Sequence, residues 1–379
     1  MKFLHTADLH IGLRLCEYSM IADVRHILKE IAEIAVREQC GAVIAAGDIY
    51  DRSVPSAEAV AVFDEFVSEL ARAGIVLLAV SGNHDSPERV AYLSSVAESA
   101  GVYLSPVYDG DCKAVTFSDE YGAVNVYLLP FVKPVNVRTV CEEFTGETYH
   151  AAVEYAVGRM NLCTDERNLL VTHQYVIAGE SRESDEVGGT GMVSASLFDA
   201  FDYAALGHLH GGHPVGKSCY YSGSPLKHSF GEVNDVKTVS IVELKEKGTV
   251  IRTEVPLHPL RDLREVRGSY DEVVHAGLHD PAKEDYLRVI LTDEEDVIDA
   301  VAKLRCVYPN LMRLSYDNLR TREMREIGGI SGGIGDDAGA IRPEEVFAEL
   351  YELQNNVPPD EELLDVVRGI FETCGEMEK

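Results

Sequence analysis

The sequence lacks the marks of a membrane or secreted protein. It contains no apolar run of about 18 residues, the length that a membrane-spanning helix needs. Its first residues become polar by Asp8, which is too early for a secretory signal peptide. The sequence therefore predicts no membrane span, and we expect a cytoplasmic protein.

Paired cysteines and a nucleotide-binding loop are also lacking. Eight cysteines are scattered along the chain without a CxxC pair, so neither a zinc knuckle nor a redox motif is indicated. The sequence has no GxxxxGK[ST] segment, so any dependence on ATP has to reside in another protein. The Gly-rich residues 328–339 are interpreted as a flexible linker and not as a phosphate-binding loop.

Basic residues are few. The chain has 34 Lys and Arg against 64 Asp and Glu, which gives a net charge of −30. Strong unaided binding to nucleic acid is disfavoured, because such affinity comes largely from basic side chains on phosphates. A role on DNA would need metal ions, local basic patches or a partner. The acidity also fits a simpler interpretation, as a source of solubility or an adaptation to a high-salt host.

The N-terminal part of the chain alternates strands with helices. Apolar residues recur at helical spacing over residues 18–39, and helices are also predicted over residues 56–73 and 87–99. Residues 42–48 and 75–85 are apolar runs typical of strands whose sheet is covered by helices. Polar residues follow these strands, at the edge where open α/β sheets bind their ligands.

After Gly101 the pattern changes to short strands separated by turns, which favours a sandwich of two sheets. We predict an α/β fold, a four-layer sandwich of two mixed β-sheets flanked by helices, followed by a small α+β domain and a C-terminal helical tail. The predicted boundaries are 1–258 for the sandwich, 259–327 for the α+β domain, 328–339 for the linker and 340–379 for the tail.

The small domain is predicted to alternate strands with helices as well. Its predicted strands cover residues 261–267, 286–291 and 311–316, and its predicted helices cover residues 270–276 and 294–307. The tail carries an apolar stripe of Phe347, Leu350, Tyr351 and Leu353. Because two short helices cannot bury such a stripe between them, we expect it to meet a partner surface.

Five short motifs bring ligand-type side chains to strand ends in a fixed order. They are DLH at Asp8–His10, GDIYD at Gly47–Asp51, GNHD at Gly82–Asp85, THQ at Thr172–Gln174 and GHLH at Gly207–His210. Each alone has an ordinary explanation as a turn, a cap or a buried histidine. Together they suit a pair of divalent cations, which hydrolyse phosphate esters by holding the attacking and leaving oxygens. Asp48 follows a buried strand and is the best candidate for a carboxylate that bridges both ions.

The order DxH, GDxxD, GNHD, His and GHxH resembles that of the calcineurin-like metallophosphoesterases. Finer detail resembles the SbcD family, the nuclease subunits of SbcCD complexes. The similar segments are HTADLHIG at the start, SGNHDS, GESRESDEVGG at 179–189, LGHLHGGHPV at 206–215 and YSGSPLKHSFGE at 221–232.

The resemblance implies a role for each motif residue. It implies one divalent cation held by Asp8, His10, Asp48 and His210, and a second held by Asp48, Asn83, His173 and His208. Mn²⁺ is the expected ion at both positions. His84 would act on the phosphate, and Asp51 would orient His84.

The resemblance also implies a biological setting. It implies a Mn²⁺-dependent nuclease, an exonuclease on double-stranded DNA ends and an endonuclease on single strands and hairpins, in DNA break processing, replication and recombination. Residues 259–327 would cap the DNA. Residues 340–379 would dock on the coiled-coil root of an SbcC-type ATPase, within a heterotetramer that contains a homodimer of this chain.

Three alternatives remain open on the sequence alone. Arg52 stands where serine/threonine phosphatases carry the Arg of GDxxDRG, which indicates a phosphoprotein phosphatase, although Ser53 replaces the glycine of that motif. A small-molecule phosphodiesterase that works without a partner is the second alternative. The third is a noncatalytic scaffold, against which the full set of ligand-type residues argues.

Overall fold

The computed structural model describes residues 1–179, 186–187, 190–319 and 321, and all of these except residues 318, 319 and 321 belong to one compact unit, Met1–Asp317. The predicted linker 328–339 and tail 340–379 lie outside the described residues, as does most of the segment 179–189. Among the described residues, no helix combines the length and apolar character needed to cross a bilayer.

The strands form two large sheets, one small sheet and several short pairs. In chain order they are β1 Lys2–Thr6, β2 Arg14–Leu15, β3 Tyr18–Ser19, β4 Ala42–Ala46, β5 Val76–Val80, β6 Val102–Leu104, β7 Ala114–Asp119, β8 Gly122–Leu129, β9 Arg167–His173, β10 Val176–Ile177, β11 Glu186–Val187, β12 Thr190–Gly191, β13 Val193–Ser194, β14 Tyr203–Gly207, β15 His213–Val215, β16 Cys219–Tyr221, β17 Thr238–Leu244, β18 Val250–Pro256, β19 Leu263–Gly268, β20 Tyr286–Leu291 and β21 Leu311–Tyr316.

The helices lie mainly between strands of the large sheets and between strands of the small sheet. In chain order they are α1 Ile21–Arg37, α2 Ala57–Arg72, α3 Pro87–Val90, α4 Ser94–Ala97, α5 Pro134–Val140, α6 Tyr149–Gly158, α7 Tyr270–Leu278 and α8 Ala300–Arg305.

Both large sheets are mixed and six-stranded. The first has the order β18-β17-β1-β4-β5-β6, in which β1, β4, β5 and β6 run parallel and β17 and β18 are antiparallel additions. The second has the order β15-β16-β14-β9-β8-β7, with a parallel centre and an antiparallel strand at each edge. In each sheet the parallel strands deliver their carboxyl ends to one edge.

The two sheets pack face to face. Phe3, Ile44 and Leu78 of the first sheet and Val126 and Val171 of the second belong to one fully buried apolar layer. Helices α1 and α2 contribute to the apolar cluster that includes the first sheet, and α5 and α6 to the one that includes the second. These layers confirm the predicted four-layer sandwich, and their apolar burial is the main source of its stability.

The first two predicted helices form nearly as expected. α1 begins at Ile21 and not at residue 18, because Tyr18–Ser19 pairs with Arg14–Leu15 as a short hairpin. α2 begins at Ala57, where the Ser56 hydroxyl accepts a hydrogen bond from the Ala59 amide at 3.2 Å. Such a cap satisfies one of the free amides at a helix start.

The prediction of a single helix over residues 87–99 was wrong. The segment is broken into α3, α4 and a short 3-10 turn at Glu98–Ala100. The break lies at Leu93, whose φ of 59° is in the left-handed region that a right-handed helix cannot contain.

The small sheet has the order β19-β20-β21, all parallel, with α7 and α8 packed against it. Strands β20 and β21 have the predicted bounds. The helix predicted over residues 294–307 is shortened to α8, because Asp299 with φ of 55° stands just before its start. Residues 1–317 form one compact unit, so a domain boundary at residue 258 stays a prediction.

Candidate metal centre

Each of the five motifs lies at the carboxyl end of a strand. Asp8 follows β1, Asp48 follows β4 and Asn83 follows β5, all in the first sheet. In the second sheet, His173 ends β9 and His208 follows β14. Because the sheets pack face to face, side chains from both reach a common point.

Asp48 lies at the centre of these converging side chains. Its Oδ2 lies 3.3 Å from Nε2 of His173 and 3.6 Å from Nε2 of His10. Its Oδ1 accepts a hydrogen bond from the main-chain amide of His84 at 2.9 Å. Asp48 is thus in contact with side chains of both predicted metal sets, as a bridging carboxylate would be.

Asn83 joins the two imidazoles predicted to share its cation. Its Oδ1 lies 3.0 Å from Nε2 of His173 and 3.1 Å from Nδ1 of His208. With Asp48 beside His173, the whole predicted second set, Asp48, Asn83, His173 and His208, is therefore brought together.

The predicted first set also converges. Ligand-type atoms of Asp8, His10 and Asp48 all lie within 4.8 Å of one another. The Asp8 carboxylate accepts a hydrogen bond from the main-chain amide of His208 at 3.0 Å. The ring of His210 lies with its centroid 5.3 Å from that of His10. Asp8, His10 and Asp48 are thus brought together, and His210 lies beside His10.

His84 lies on the exposed side of this cluster. Its ring centroid is 4.9 Å from that of His10, and its Nδ1 lies 3.1 Å from the main-chain carbonyl of Asp51. The carboxylate of Asp51 is instead 3.7 Å from Nδ1 of His10. Asp51 thus contacts His84 through its carbonyl oxygen, while its side chain faces His10.

Glycines in the motifs allow this close packing. A methyl group on Gly82 would collide with Oδ1 of Asp48, and one on Gly207 would collide with the carbonyl of Ala46. The motif residues themselves hold unusual backbone angles, since Asp8 has φ of 53° and Asp48 has φ of 48°. Left-handed conformations at non-glycine residues are costly and concentrate at functional sites.

Asp85 has a structural role that the sequence did not indicate. Its buried carboxylate accepts hydrogen bonds from the main-chain amides of Ile49 at 3.0 Å, Tyr50 at 2.9 Å and Gly82 at 2.8 Å. Burial raises the pKa of Asp85 to about 6. These contacts join the GDIYD loop to the GNHD loop. The sequence signal for this role was the aspartate at the end of GNHD.

The two central carboxylates differ in acidity. Burial raises the pKa of Asp8 to about 6. Burial also opposes ionisation of Asp48, but the adjacent His173 and His10 outweigh it and hold the pKa of Asp48 below its usual range. Asp48 is therefore anionic at neutral pH and in mild acid, whereas Asp8 takes up a proton in mild acid.

The imidazoles differ as well. Burial acts to lower the pKa of His173, but the Asp48 carboxylate outweighs it and raises that pKa to about 9. Burial lowers the pKa of His10 to about 3 and that of His208 to about 4. His10 and His208 are thus neutral at pH 7, the form that binds metals, while His173 has to release a proton first.

The donor set fits divalent cations. Both ring nitrogens of His10 are buried, and neither has a hydrogen-bond partner among the described residues. Leaving a buried polar atom unpaired costs about 1–3 kcal/mol. A cation bound by His10 would satisfy one of these nitrogens, and the mixed carboxylate, amide and imidazole donors suit Mn²⁺ or Fe²⁺.

Three further residues of the site were missed from the sequence. His228 packs against the rings of His10 and His210, with centroids 4.9 and 4.7 Å apart. Glu232 lies 3.7 Å from Nδ1 of His210, and Lys237 pairs with Glu232 at 2.7 Å. The signal for His228 and Glu232 was present in YSGSPLKHSFGE, where a histidine and a glutamate are four residues apart.

Known proteins match this chain along most of its length. Residues 1–239 match the family model described as "Calcineurin-like phosphoesterase". Residues 259–355 match SbcD_C, described as "Type 5 capsule protein repressor C-terminal domain". A Staphylococcus epidermidis protein named as the D subunit of the nuclease SbcCD is 31% identical over 322 residues, which cover 83% of this chain and 85% of the relative.

The chain belongs to the SbcD family of calcineurin-like phosphoesterases. The protein of the same name from Staphylococcus saprophyticus is 33% identical over 324 residues, which cover 83% of this SbcD-family chain and 84% of the relative. A solved structure of a dimetal phosphatase from Danio rerio covers 69% of the chain and 98% of its own length, at 14% identity. Its TM-score of 0.39 is too low to add to the assignment.

Family membership confirms the resemblance seen in the motifs. It also agrees with the sandwich of two mixed sheets described above, the fold of calcineurin-like phosphoesterases. The assignment of each ligand to one cation, and the roles of His84 and Asp51, stay predictions.

Proposed function

We propose that this chain is the nuclease subunit of an SbcCD-type complex and hydrolyses phosphodiester bonds of DNA with two divalent cations, Mn²⁺ being the expected ion. The position of Asp48 carries the proposal, because its carboxylate contacts His10 of one predicted set and His173 of the other. The two relatives, whose names describe subunits of a nuclease, support a nucleic acid as the substrate.

When bound, the two cations would supply an activated water and neutralise charge on the phosphate. Asp8, His10, Asp48 and His210 would hold one ion, and Asp48, Asn83, His173 and His208 the other. Their strand-end positions make the set rigid. Rigidity matters because misplacement of reacting groups by about 1 Å can reduce a rate on the order of 100-fold.

His84 is proposed to act on the phosphate and not to hold a metal. It is exposed at the mouth of the cluster, and its Nδ1 is engaged by the carbonyl of Asp51 at 3.1 Å. A histidine held through one ring nitrogen keeps the other for a proton transfer to the leaving oxygen or for contact with the phosphate.

The decisive experiment measures cleavage of linear and hairpin DNA by the purified chain with Mn²⁺, together with metal content. We expect His84→Ala to retain both metals and lose cleavage on the order of 100-fold or more, the usual contribution of a general acid. His213→Ala is the matched control, because His213 is exposed and its Nδ1 bonds only the nearby carbonyl of Gly211. Loss of a metal from His84→Ala would make His84 a ligand instead.

A phosphoprotein phosphatase is the second candidate, and one observation favours it. The side chain of Arg52 is 77% exposed beside the site and lies 3.5 Å from the Asp51 carboxylate, so it could contact a phosphate. Turnover of a phosphopeptide compared with that of DNA decides between the two. Faster turnover of the phosphopeptide without DNA cleavage would favour the phosphatase over the nuclease. A chain that binds no metal would favour a noncatalytic scaffold.

The partner proposed for residues 340–379 is an SbcC-type ATPase, which these residues would bind at its coiled-coil root. Residues 328–339 are proposed as a linker, and residues 259–327 as a cap over DNA. The two relatives are named as subunits of SbcCD, which supports such an assembly, and a heterotetramer containing two copies of this chain is proposed. The net charge of −30 also favours a partner that contributes to DNA binding.

Truncation after Gly339 tests the docking segment. The shortened chain is expected to keep metal binding and Mn²⁺-dependent cleavage but to lose association with the ATPase in a pull-down. Undiminished association of the truncated chain would place the docking surface elsewhere.

A further inference from the structure

A third imidazole completes a cluster with His10 and His210. The ring of His228 stands nearly perpendicular to both others, at 89° and 86°, with centroids 4.9 and 4.7 Å away. One ring nitrogen from each of the three histidines lies within 4.8 Å of the other two. The spacing allows a single cation to approach all three rings, while His228 belongs to none of the five motifs.

His228 is held by the same carboxylate that lies beside His210. Its main-chain amide donates to Oε2 of Glu232 at 3.3 Å, while Oε1 of Glu232 lies 3.7 Å from Nδ1 of His210. Lys237 offsets the charge of this carboxylate at 2.7 Å and also donates to the carbonyl of His210 at 2.9 Å. One network therefore positions both histidines, as residues around metal ligands commonly do.

The residue before His228 fixes the segment from its other side. Lys227 forms an ion pair with Asp262 at 2.9 Å and donates to the carbonyl of Val233 at 2.8 Å. With contacts on both sides, the main chain at His228 is held in place. The ring itself makes no hydrogen bond to another described residue, so neither of its nitrogens is engaged within the described part of the chain.

We propose that His228 supplies a further imidazole ligand to the cation held at His10 and His210. The inference rests on the proposed two-metal function and adds a nitrogen donor to one of its sites. Imidazole favours Co²⁺, Zn²⁺ or Fe²⁺, whereas carboxylate and water suit Mg²⁺ and Mn²⁺. The extra donor therefore gives the two cation sites different selectivities, the nitrogen-rich one at His10, His210 and His228.

Metal titration of the full-length chain without substrate tests the proposal. Co²⁺ and Mn²⁺ are titrated into metal-free wild type, His228→Phe and His228→Gln, and the visible spectrum of bound Co²⁺ is recorded. Phe retains the ring packing but has no nitrogen, so one Co²⁺ site should weaken at least about tenfold and change its spectrum. The loss for Mn²⁺ should be smaller, which lowers the ratio of Co²⁺ to Mn²⁺ affinity at that site. Gln, which offers an oxygen, should also lower this ratio.

His213→Phe is the matched control, since His213 is exposed and outside the cluster. Thermal unfolding of the metal-free variants checks that each is folded, and His228→Gln provides the test if His228→Phe is not. Two Co²⁺ ions bound with wild-type affinity and spectrum in a folded variant would overturn the proposal. Because no substrate is present, the result does not depend on whether DNA or a phosphoprotein is cleaved.

Discussion

The carboxylate of Asp48 lies 3.3 Å from Nε2 of His173, although the two residues belong to different sheets. Asp48 follows β4 of the first sheet and His173 ends β9 of the second. Both side chains are almost fully buried. The candidate site therefore exists only when the two sheets are packed against each other, and the pair is a sensitive point at which to test it.

Asp48→Asn is expected to weaken both cation sites, because its carboxylate contacts residues of both predicted sets. We expect calorimetric titration with Mn²⁺ to show lower affinity at each site. Asp64→Asn is the control, since Asp64 is an exposed carboxylate on α2. Two fully occupied metals in Asp48→Asn would rule out the bridging role.

Metal binding should be linked to pH through His173 and Asp8. The pKa of His173 is raised to about 9, so at pH 7 a bound cation has to displace its proton, whereas Asp8, with a pKa of about 6, is largely ionised there. Affinity for Mn²⁺ should thus fall as pH decreases from 9, and more steeply below pH 6. Titrations at pH 7 in buffers of different ionisation enthalpy should detect at least one proton released per chain, with a contribution from His210 beside that of His173, because the burial of His210 is outweighed by Glu232 and Asp8, which raise its pKa. Proton-neutral binding at pH 7 would contradict the raised pKa of His173.

Burial of His5 should make the fold sensitive to acid. Burial lowers the pKa of His5 to about 3, and its Nδ1 lies 3.0 Å from the hydroxyl of Tyr203. Below the unfolded pKa of about 6.5, only the unfolded chain takes up this proton, so the free energy of unfolding falls by about 1.4 kcal/mol per pH unit until about pH 3.

Urea unfolding of the metal-free chain at pH 7, 6 and 5 should show this loss, and His5→Gln should have a shallower pH dependence. His26→Gln, which alters an exposed histidine of α1, should keep the wild-type slope. Parallel slopes for His5→Gln and wild type would mean that His5 titrates normally in the folded protein.

A buried ion pair connects α1 to the segment that leads into the small sheet. Asp23 is fully buried, and its carboxylate accepts hydrogen bonds from Nε of Arg261 at 3.0 Å and from the hydroxyl of Tyr286 at 2.9 Å. Removing one partner of a fully buried pair costs about 3–5 kcal/mol, and the cost here should be smaller because the Arg261 side chain is 26% exposed and can reach water. Asp23→Ala should therefore lower the thermal midpoint clearly.

The control for this pair is an exposed ion pair that joins α1 to α2. Arg25 and Glu65 form an ion pair at 2.8 Å, but both side chains are about half exposed. Glu65→Ala should cost less than about 1 kcal/mol, because exposed ion pairs contribute little. Equal decreases in the thermal midpoint of Asp23→Ala and Glu65→Ala would show that the Asp23–Arg261 pair stabilises the fold no more than an exposed pair does.

Much of the site could be predicted because its residues follow strands. Apolar runs such as residues 42–48 are visible in the sequence, and parallel strands present their carboxyl ends at one edge. Asp8, Asp48 and Asn83 could be named as neighbours on that basis. Local pattern was less reliable where one residue decides the backbone, as at Leu93, because apolar spacing carries no information about a left-handed φ.

The sequence by itself determined the motif residues, their order and the two mixed sheets, because these depend on local spacing and strand direction. Only the tertiary structure decided that Asp51 meets His84 through its carbonyl and that Asp85 joins two loops. It also placed His228 and Glu232 beside His210. These contacts join segments distant in sequence, and their geometry depends on how two sheets and a connecting segment pack, which no local pattern records.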